Sequence, residues 1–359
     1  MKTSSHSRGT TLLAGSSTAL RHKTTIADVA DVAGVSIKTV SRVLNREASV
    51  KPSTRMRVEQ AIKELGYRPN SPARMLAGNR TYLLGLIYNA SSSYIVSIQN
   101  GVLAACRDEH YDLLIHPCGY SDPDLLDQIR DFVAGPRVDG LVLVPPVSDV
   151  PEFLELLREL GIPHVAISRE SVSESDWTVC TNDREICRDM VRHLSRLGHQ
   201  RIAFVRGHPD HKAMGTRYLG YLDGMAEADL DVDEALVIQG ANTFDSGVDC
   251  AVRLMRRDPR PTAVFCANDH MATGVMKVAH DRRLTIPGDL SVAGFDDMPM
   301  AAQIWPPLTT VRQPLEEMAM RAASQLIRCL RGEAPVAPRQ VVNAELVIRQ
   351  STGPAPVTG

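Results

Sequence analysis

From Leu83 onward, short apolar runs alternate with amphipathic stretches, and this alternation constrains the fold more than any other feature. LLGLIY (83–88), DLLIH (112–116), GLVLV (140–144) and HVAIS (164–168) are too short for buried helices and too uniformly apolar for half-exposed strands. They read as parallel strands covered on both faces. RIAFV (201–205), TAVFCA (262–267) and LSVAGF (290–295) form a second set. Helices are expected at 97–109, 122–133, 151–160, 184–197 and 268–282. ELGIPHVAIS (159–168) and RLGHQRIAFV (196–205) echo each other as helix, Leu-Gly, then strand. Two similar α/β lobes follow, large enough together to hold a ligand between them.

The first 80 residues differ from the rest. They hold 14 Lys and Arg against 5 Asp and Glu, a charge of +9, while the remainder carries -11, giving the chain its net -2. A basic head on an acidic body suggests a nucleic-acid-binding module joined to something else. Within the head, TTIADVADVAGVSIKTVSRVLN (24–45) carries a capping box at Thr25 and Asp28, a stop at Gly34 and a second cap at Ser36. With Ile26 as first position, Ala30 is fifth, Gly34 ninth and Val40 fifteenth. Two steeply crossing helices need a small residue at the contact, a turn glycine and an apolar lock, which is the helix-turn-helix unit. A third helix should start near Pro52, with Lys51 as a poor cap, and end at Gly66. NSPARMLAG (70–78) is a two-turn helix at most and needs a packing partner.

Other chemistries fit poorly. The seven cysteines include no C-x-x-C pair, so neither a disulfide framework nor a thiolate zinc site is expected. The histidines are dispersed, and neither metal nor cofactor is expected. No G-x-G-x-x-G follows a strand, and no phosphate loop or H-E-x-x-H occurs. No apolar run reaches the ~18 residues of a membrane span. The apolar stretch near the start is too short and too broken for a secretory leader, so residues 1–22 read as a disordered tail of a cytoplasmic protein.

Thr25–Asn45, the NSPARMLAG segment, CANDHMATG (266–274), SVAGFDD (291–297) and PPLTTVRQP (306–314) closely resemble the LacI/GalR family of bacterial transcription regulators. The resemblance covers about residues 24–352. It implies a helix-turn-helix headpiece (23–68), a hinge helix (69–80), and a two-lobed core (81–359) like periplasmic sugar-binding proteins. The N-lobe should comprise about 81–181 and 315–345, the C-lobe about 182–314 and 346–353. It also implies a homodimer on pseudo-palindromic double-stranded operator DNA, controlled by a small molecule, usually a saccharide. The start of the core and its WPPLTTVRQP stretch look most like a subgroup tied to aryl-β-glucosides or related saccharides.

The second helix should lie in the major groove. Ile37 and Lys38 match the family's operator-discriminating pair, and Arg42 its base-reading arginine. Lys38 can donate to guanine, and Ile37 can meet a thymine methyl. Thr25, Ser36, Thr39 and Asn45 carry short donors suited to phosphates. By the family match, Leu76 wedges into a base step while Ala73 lets paired hinge helices approach. In the core, ligand residues should follow strand ends. Tyr94, Arg169, Asp269 and Asp296 do so. Arg217, Asn268, Asp269 and Asp296 match the family's effector positions. Asp269 could equally cap the helix it opens. The aromatic that the family often places near position 242 is replaced by Asn242, so either Phe244 substitutes or the ligand face is more polar. Two other classes remain: a sugar-binding transport protein and a sugar-processing enzyme with a regulatory head.

Overall fold

In the computed structural model, residues 24–44, 49–67, 80–168, 177–334 and 337–356 are described. The expected tail, Asn45, Arg169 and nearly all of the expected hinge segment, with Ala73 and Leu76, lie outside them. The chain divides into two compact units, Met1–Ala73 and Arg74–Gly359.

Among the described residues, the first unit holds three helices: α1 (Ile26–Ala33), α2 (Ile37–Leu44) and α3 (Pro52–Leu65). The Thr25–Asp28 capping box forms reciprocally, and Gly34 closes α1 in the left-handed region at φ 62°. A side chain there would be strained, so the turn selects glycine. Ser36 accepts the Thr39 amide and so caps α2. Lys51 supplies no side-chain cap to α3. Ala30 sits at the helix contact, Val40 locks α2 down, and Val29, Ala33, Val43, Val58 and Ala61 complete the core.

The second unit has two lobes. The first holds a six-stranded parallel sheet built from β1 (Leu83–Tyr88), β2 (Asp112–Pro117), β3 (Gly140–Leu143), β4 (His164–Ile167), β5 (Trp177–Thr181) and β11 (Arg339–Val342). Its strand order is β11-β5-β4-β3-β1-β2. The second lobe holds β6 (Ile202–Arg206), β7 (Val237–Gln239), β8 (Ala263–Cys266) and β9 (Ser291–Ala293) in the order β7-β6-β8-β9. Bridges from Ala293 to Thr309 and from Asp296 to Arg312 extend it towards β10 (Thr310–Arg312), which pairs antiparallel with β12 (Glu345–Val347).

Helices α4 (Ser93–Glu109), α5 (Leu125–Ala134), α6 (Pro151–Glu159) and α12 (Leu315–Leu330) cover the first sheet, and α12 packs along α4. The second is covered by α7 (Asp183–Arg196), α8 (Lys212–Glu227), α9 (Phe244–Leu254) and α10 (Asp269–Asp281), and α11 (Pro299–Gln303) follows β9. The expected strands appear within two residues of their predicted ends. Helix α4 begins four residues before the predicted 97, because Ser92 accepts the Ile95 amide and caps it. All seven cysteines are free thiols, six of them buried, and burial raises the Cys106, Cys118, Cys187, Cys250 and Cys266 thiols above the ordinary range. No described helix is long and apolar enough to cross a membrane.

The chain crosses between lobes three times: at Asn182 between β5 and α7, at Gln313 between β10 and α12, and at Ala344 between β11 and β12. Asn182 Oδ1 accepts the Ala344 amide at 2.8 Å, tying the first crossing to the third.

Candidate functional site

Two surfaces carry the chemistry expected from the sequence. On α2, Val40 and Val43 face the core, leaving Ile37, Lys38 and Arg42 outward. Ile37 is 51 % exposed. The short hydroxyls are less free than expected. Thr25 Oγ1 donates to Asp28 Oδ2 at 2.8 Å, and the Ser36 and Thr39 hydroxyls bond each other at 2.9 Å. Thr25 and Ser36 cap helices, and Thr39 is held against Ser36.

The second surface is a cavity of about 380 Å³ between the lobes, at the carboxyl ends of the strands. Its floor is polar and buried. Arg217, from α8, is only 3 % exposed. Its Nε donates to Asp183 Oδ2 at 2.9 Å, and its Nη1 donates to the Ala267 carbonyl at 2.6 Å and to Asp296 Oδ1 at 3.4 Å. The guanidinium lies 3.6 Å over the Phe295 ring. Burial alone would weaken its hold on the proton, but Asp183 and Asp296 more than offset that and raise its pKa. Asp183 is held in turn by the Thr181 hydroxyl.

Asp296 sits at φ 112°, a conformation few side-chain-bearing residues adopt, kept there by its amide bond to the Val311 carbonyl. Gln313 Nε2 donates to its Oδ1 at 2.7 Å. Burial raises the Asp296 carboxyl to about 6, against the opposing pull of Arg217 and Gln313. The floor therefore joins the first crossing, through Asp183, to the second, through Gln313.

Several expected ligand residues line this cavity: Tyr94, Arg217, Asn268 and Asp296. The Tyr94 hydroxyl lies 3.4 Å from Ser168 Oγ, and burial pushes its phenol up to about 12. Asn268, rather than Asp269, caps α10, accepting the Met271 amide at 2.9 Å while donating to the Asn242 carbonyl.

Two expectations need correction. Asp269 is fully buried and absent from the cavity wall. Its two oxygens are each engaged in the wall, Oδ1 accepting the Thr310 hydroxyl at 2.6 Å and Oδ2 the Met298 amide at 2.7 Å. A β-carbon on Gly294 would come within 2.3 Å of Asp269 Oδ1, so this strut needs glycine beside it. Phe244 opens α9 but does not line the cavity, whereas Asn242 and Thr243 do. This part of the wall is polar.

Among the wall residues that escaped the sequence reading are Tyr120, Pro145, His208 and His211. Tyr120, Pro145 and His208 follow β2, β3 and β6, so the strand-end rule applied evenly would have found them. Tyr120 Oη reaches across the lobes and donates to Asp210 Oδ2 at 3.0 Å. The Lys212 amide reaches the other way to Asp149 Oδ2 at 3.2 Å. Burial lowers His211 to about 4, helped by the charges of His208 and Arg217, so it sits neutral beside Asn242.

Comparison with known proteins finds matches in both units. A profile described as bacterial regulatory proteins, lacI family, matches residues 25–70, and one for a periplasmic binding protein-like domain matches 191–352. The probable transcriptional repressor ExuR of Bacillus subtilis is 30 % identical over 91 % of this chain and 98 % of its own. The chain belongs to the LacI family. The regulator CelR of Thermobifida fusca is 33 % identical over 92 % of this chain and 99 % of its own. Among solved structures, a CelR–cellobiose complex superposes with a TM-score of 0.70 at 31 % identity, covering 91 % of this chain and 99 % of its own. The lac repressor dimer bound to operator and the anti-inducer ONPF gives 0.71 at 27 % identity, covering 92 % and 99 %. The LacI family is one of regulators rather than enzymes.

Proposed function

We propose that this LacI-family regulator works in the cytoplasm as a homodimeric repressor of carbohydrate-utilisation genes, binding a pseudo-palindromic operator under control of a saccharide in the interlobe cavity. The observation that carries this reading is the pairing, in one chain, of an outward Ile37–Lys38–Arg42 face with a buried Arg217–Asp296 floor at strand ends. Vicinal hydroxyls suit a carboxylate, and a guanidinium donates in a planar fork. The CelR complex with cellobiose and the operator-bound lac repressor dimer support the two halves by analogy. Aryl-β-glucosides and related saccharides are the effectors to try first.

Lys38 and Arg42 read bases, Ile37 meets a thymine methyl, and Thr25, Ser36, Thr39 and Asn45 set register on phosphates, the first two while also capping. Lys38→Ala or Arg42→Ala should cost ~1–3 kcal/mol on the operator upstream of the gene and much less on random duplex. Anisotropy titrations on both duplexes separate these terms, and equal losses would remove the base-reading role. Leu76, with Ala73 allowing close approach, is the wedge proposed for the central base step. Leu76→Ala should then lower the DNA bend seen by energy transfer between duplex ends, and an unchanged bend would place the wedge elsewhere.

A further inference from the structure

The three chain crossings join the lobes, and the angle between the lobes depends on what else reaches across. Two contacts from the first lobe take hold of one short segment of the second, residues 208–212. Tyr120 Oη, after β2, donates to Asp210 Oδ2 at 3.0 Å. Asp149 Oδ2, after β3, accepts the Lys212 amide at 3.2 Å.

The second contact is a helix cap supplied from the opposite lobe. Lys212 opens α8, a helix of 16 residues, and first-turn amides have no partner inside a helix. His211, the residue before it, offers no side-chain cap. The carboxylate that takes this place belongs to a short 3-10 turn of the first lobe, Val147–Asp149. The turn is anchored in its own lobe. Val147 is fully buried in the apolar core there, and the Asp149 amide donates to the Pro146 carbonyl at 2.8 Å. Asp149 itself is only 7 % exposed. A carboxylate buried that far needs donors, and a helix amino terminus offers an amide together with the positive end of the helix dipole.

Neither Asp149 nor Lys212 lines the interlobe cavity. The helix on which they meet does reach it, because Arg217 follows Lys212 by five residues, about 7.5 Å along the axis. One helix is thus held by the first lobe at its start and carries the floor guanidinium a turn and a half further on.

We infer, building on the repressor reading above, that Asp149 is a positioning residue. Its cap on α8 holds the two lobes in the arrangement seen here, and in doing so sets operator affinity without contacting the effector.

The test uses the full chain and no ligand. Spin labels on unnatural side chains at Glu155 in α6 and Ala226 in α8, both exposed, report the interlobe distance by electron–electron resonance, with labelled chain diluted in unlabelled. Asp149→Ala should lower the ratio of the wild-type distance to longer ones about five- to tenfold. Asp149→Asn, which keeps an oxygen acceptor and loses the charge, should fall between. Lys212→Pro removes the amide donor at a position where a helix accepts proline, and should reproduce Asp149→Ala. Lys212→Ala, which keeps the amide, should match wild type. Adding Asp149→Ala to Lys212→Pro should change nothing further. Operator affinity by anisotropy should shift at least about threefold in Asp149→Ala and follow the same order across the variants. An unchanged distance distribution in Asp149→Ala, or a full second loss in the double variant, would overturn the cross-lobe cap and leave the repressor reading standing. A changed distance with unchanged operator affinity would overturn control of the operator through the lobes and leave the cap standing.

Discussion

Replacing Arg217 with alanine should cost the core about 3–5 kcal/mol of stability, the largest loss expected from any single floor residue. The change leaves Asp183 and Asp296 without their cation and the Ala267 carbonyl without a donor of 2.6 Å. Arg217→Lys keeps the charge but cannot donate in a fork to three acceptors, so its loss should be intermediate. Urea unfolding followed by tryptophan fluorescence checks both. A core transition at the wild-type midpoint in Arg217→Ala would mean the buried ion pairs contribute nothing to holding the lobes. Arg217 is for this reason a poor probe of sensing, since its loss confounds ligand affinity with folding.

Asp296→Asn should do the reverse and stabilise the core at neutral pH by about 2 kcal/mol while weakening effector binding. The carboxyl is held above its ordinary 3.8, at about 6, chiefly by burial. A group of this kind favours folding only while protonated. That contribution is complete below the unfolded value and is lost as the pH rises through the folded one. Asparagine imitates the protonated form, still accepts from Arg217 and Gln313, and also relieves Asp269, which burial and Asp296 together hold well above the usual carboxylate range. The gain should therefore appear at about pH 7.5 and vanish near pH 4, as read by paired denaturation curves. A variant less stable than wild type at neutral pH would contradict it. An ionised, strained carboxylate kept at the expense of stability is what a binding site demands and a folding core does not.

Much of this architecture was legible in the residues because local physics repeats it. The head declared itself through caps, a left-handed glycine and three spaced apolar positions, all local signals. The long parallel strands did so through uninterrupted apolar runs. β7, β10 and β12 each have three residues, too few for any period to register. Asp183 and Gln313 were invisible as site residues for another reason. They reach Arg217 and Asp296 from segments 34 and 17 residues away, and only the lobe crossings bring them together. Asp269 misled because a carboxylate at a strand end has the right position whether it faces the ligand or the Thr310 hydroxyl behind the wall. Phe244 misled because its neighbour Thr243 caps α9 and turns the following ring out of the cavity.

On the proposed reading, one cavity residue, Asp296, governs how a saccharide changes operator affinity. A ligand shifts that equilibrium only by its differential affinity for the two lobe arrangements. The direct measurement is operator affinity of wild type and Asp296→Asn, titrated side by side with the saccharide that binds wild type most tightly. Wild type should change its operator affinity by tenfold or so across the titration, in the direction set by whether the saccharide releases or recruits the repressor. Asp296→Asn should hold one operator affinity throughout: a tight one if the saccharide is an inducer, a weak one if it is a corepressor. An identical response in both proteins would contradict the account.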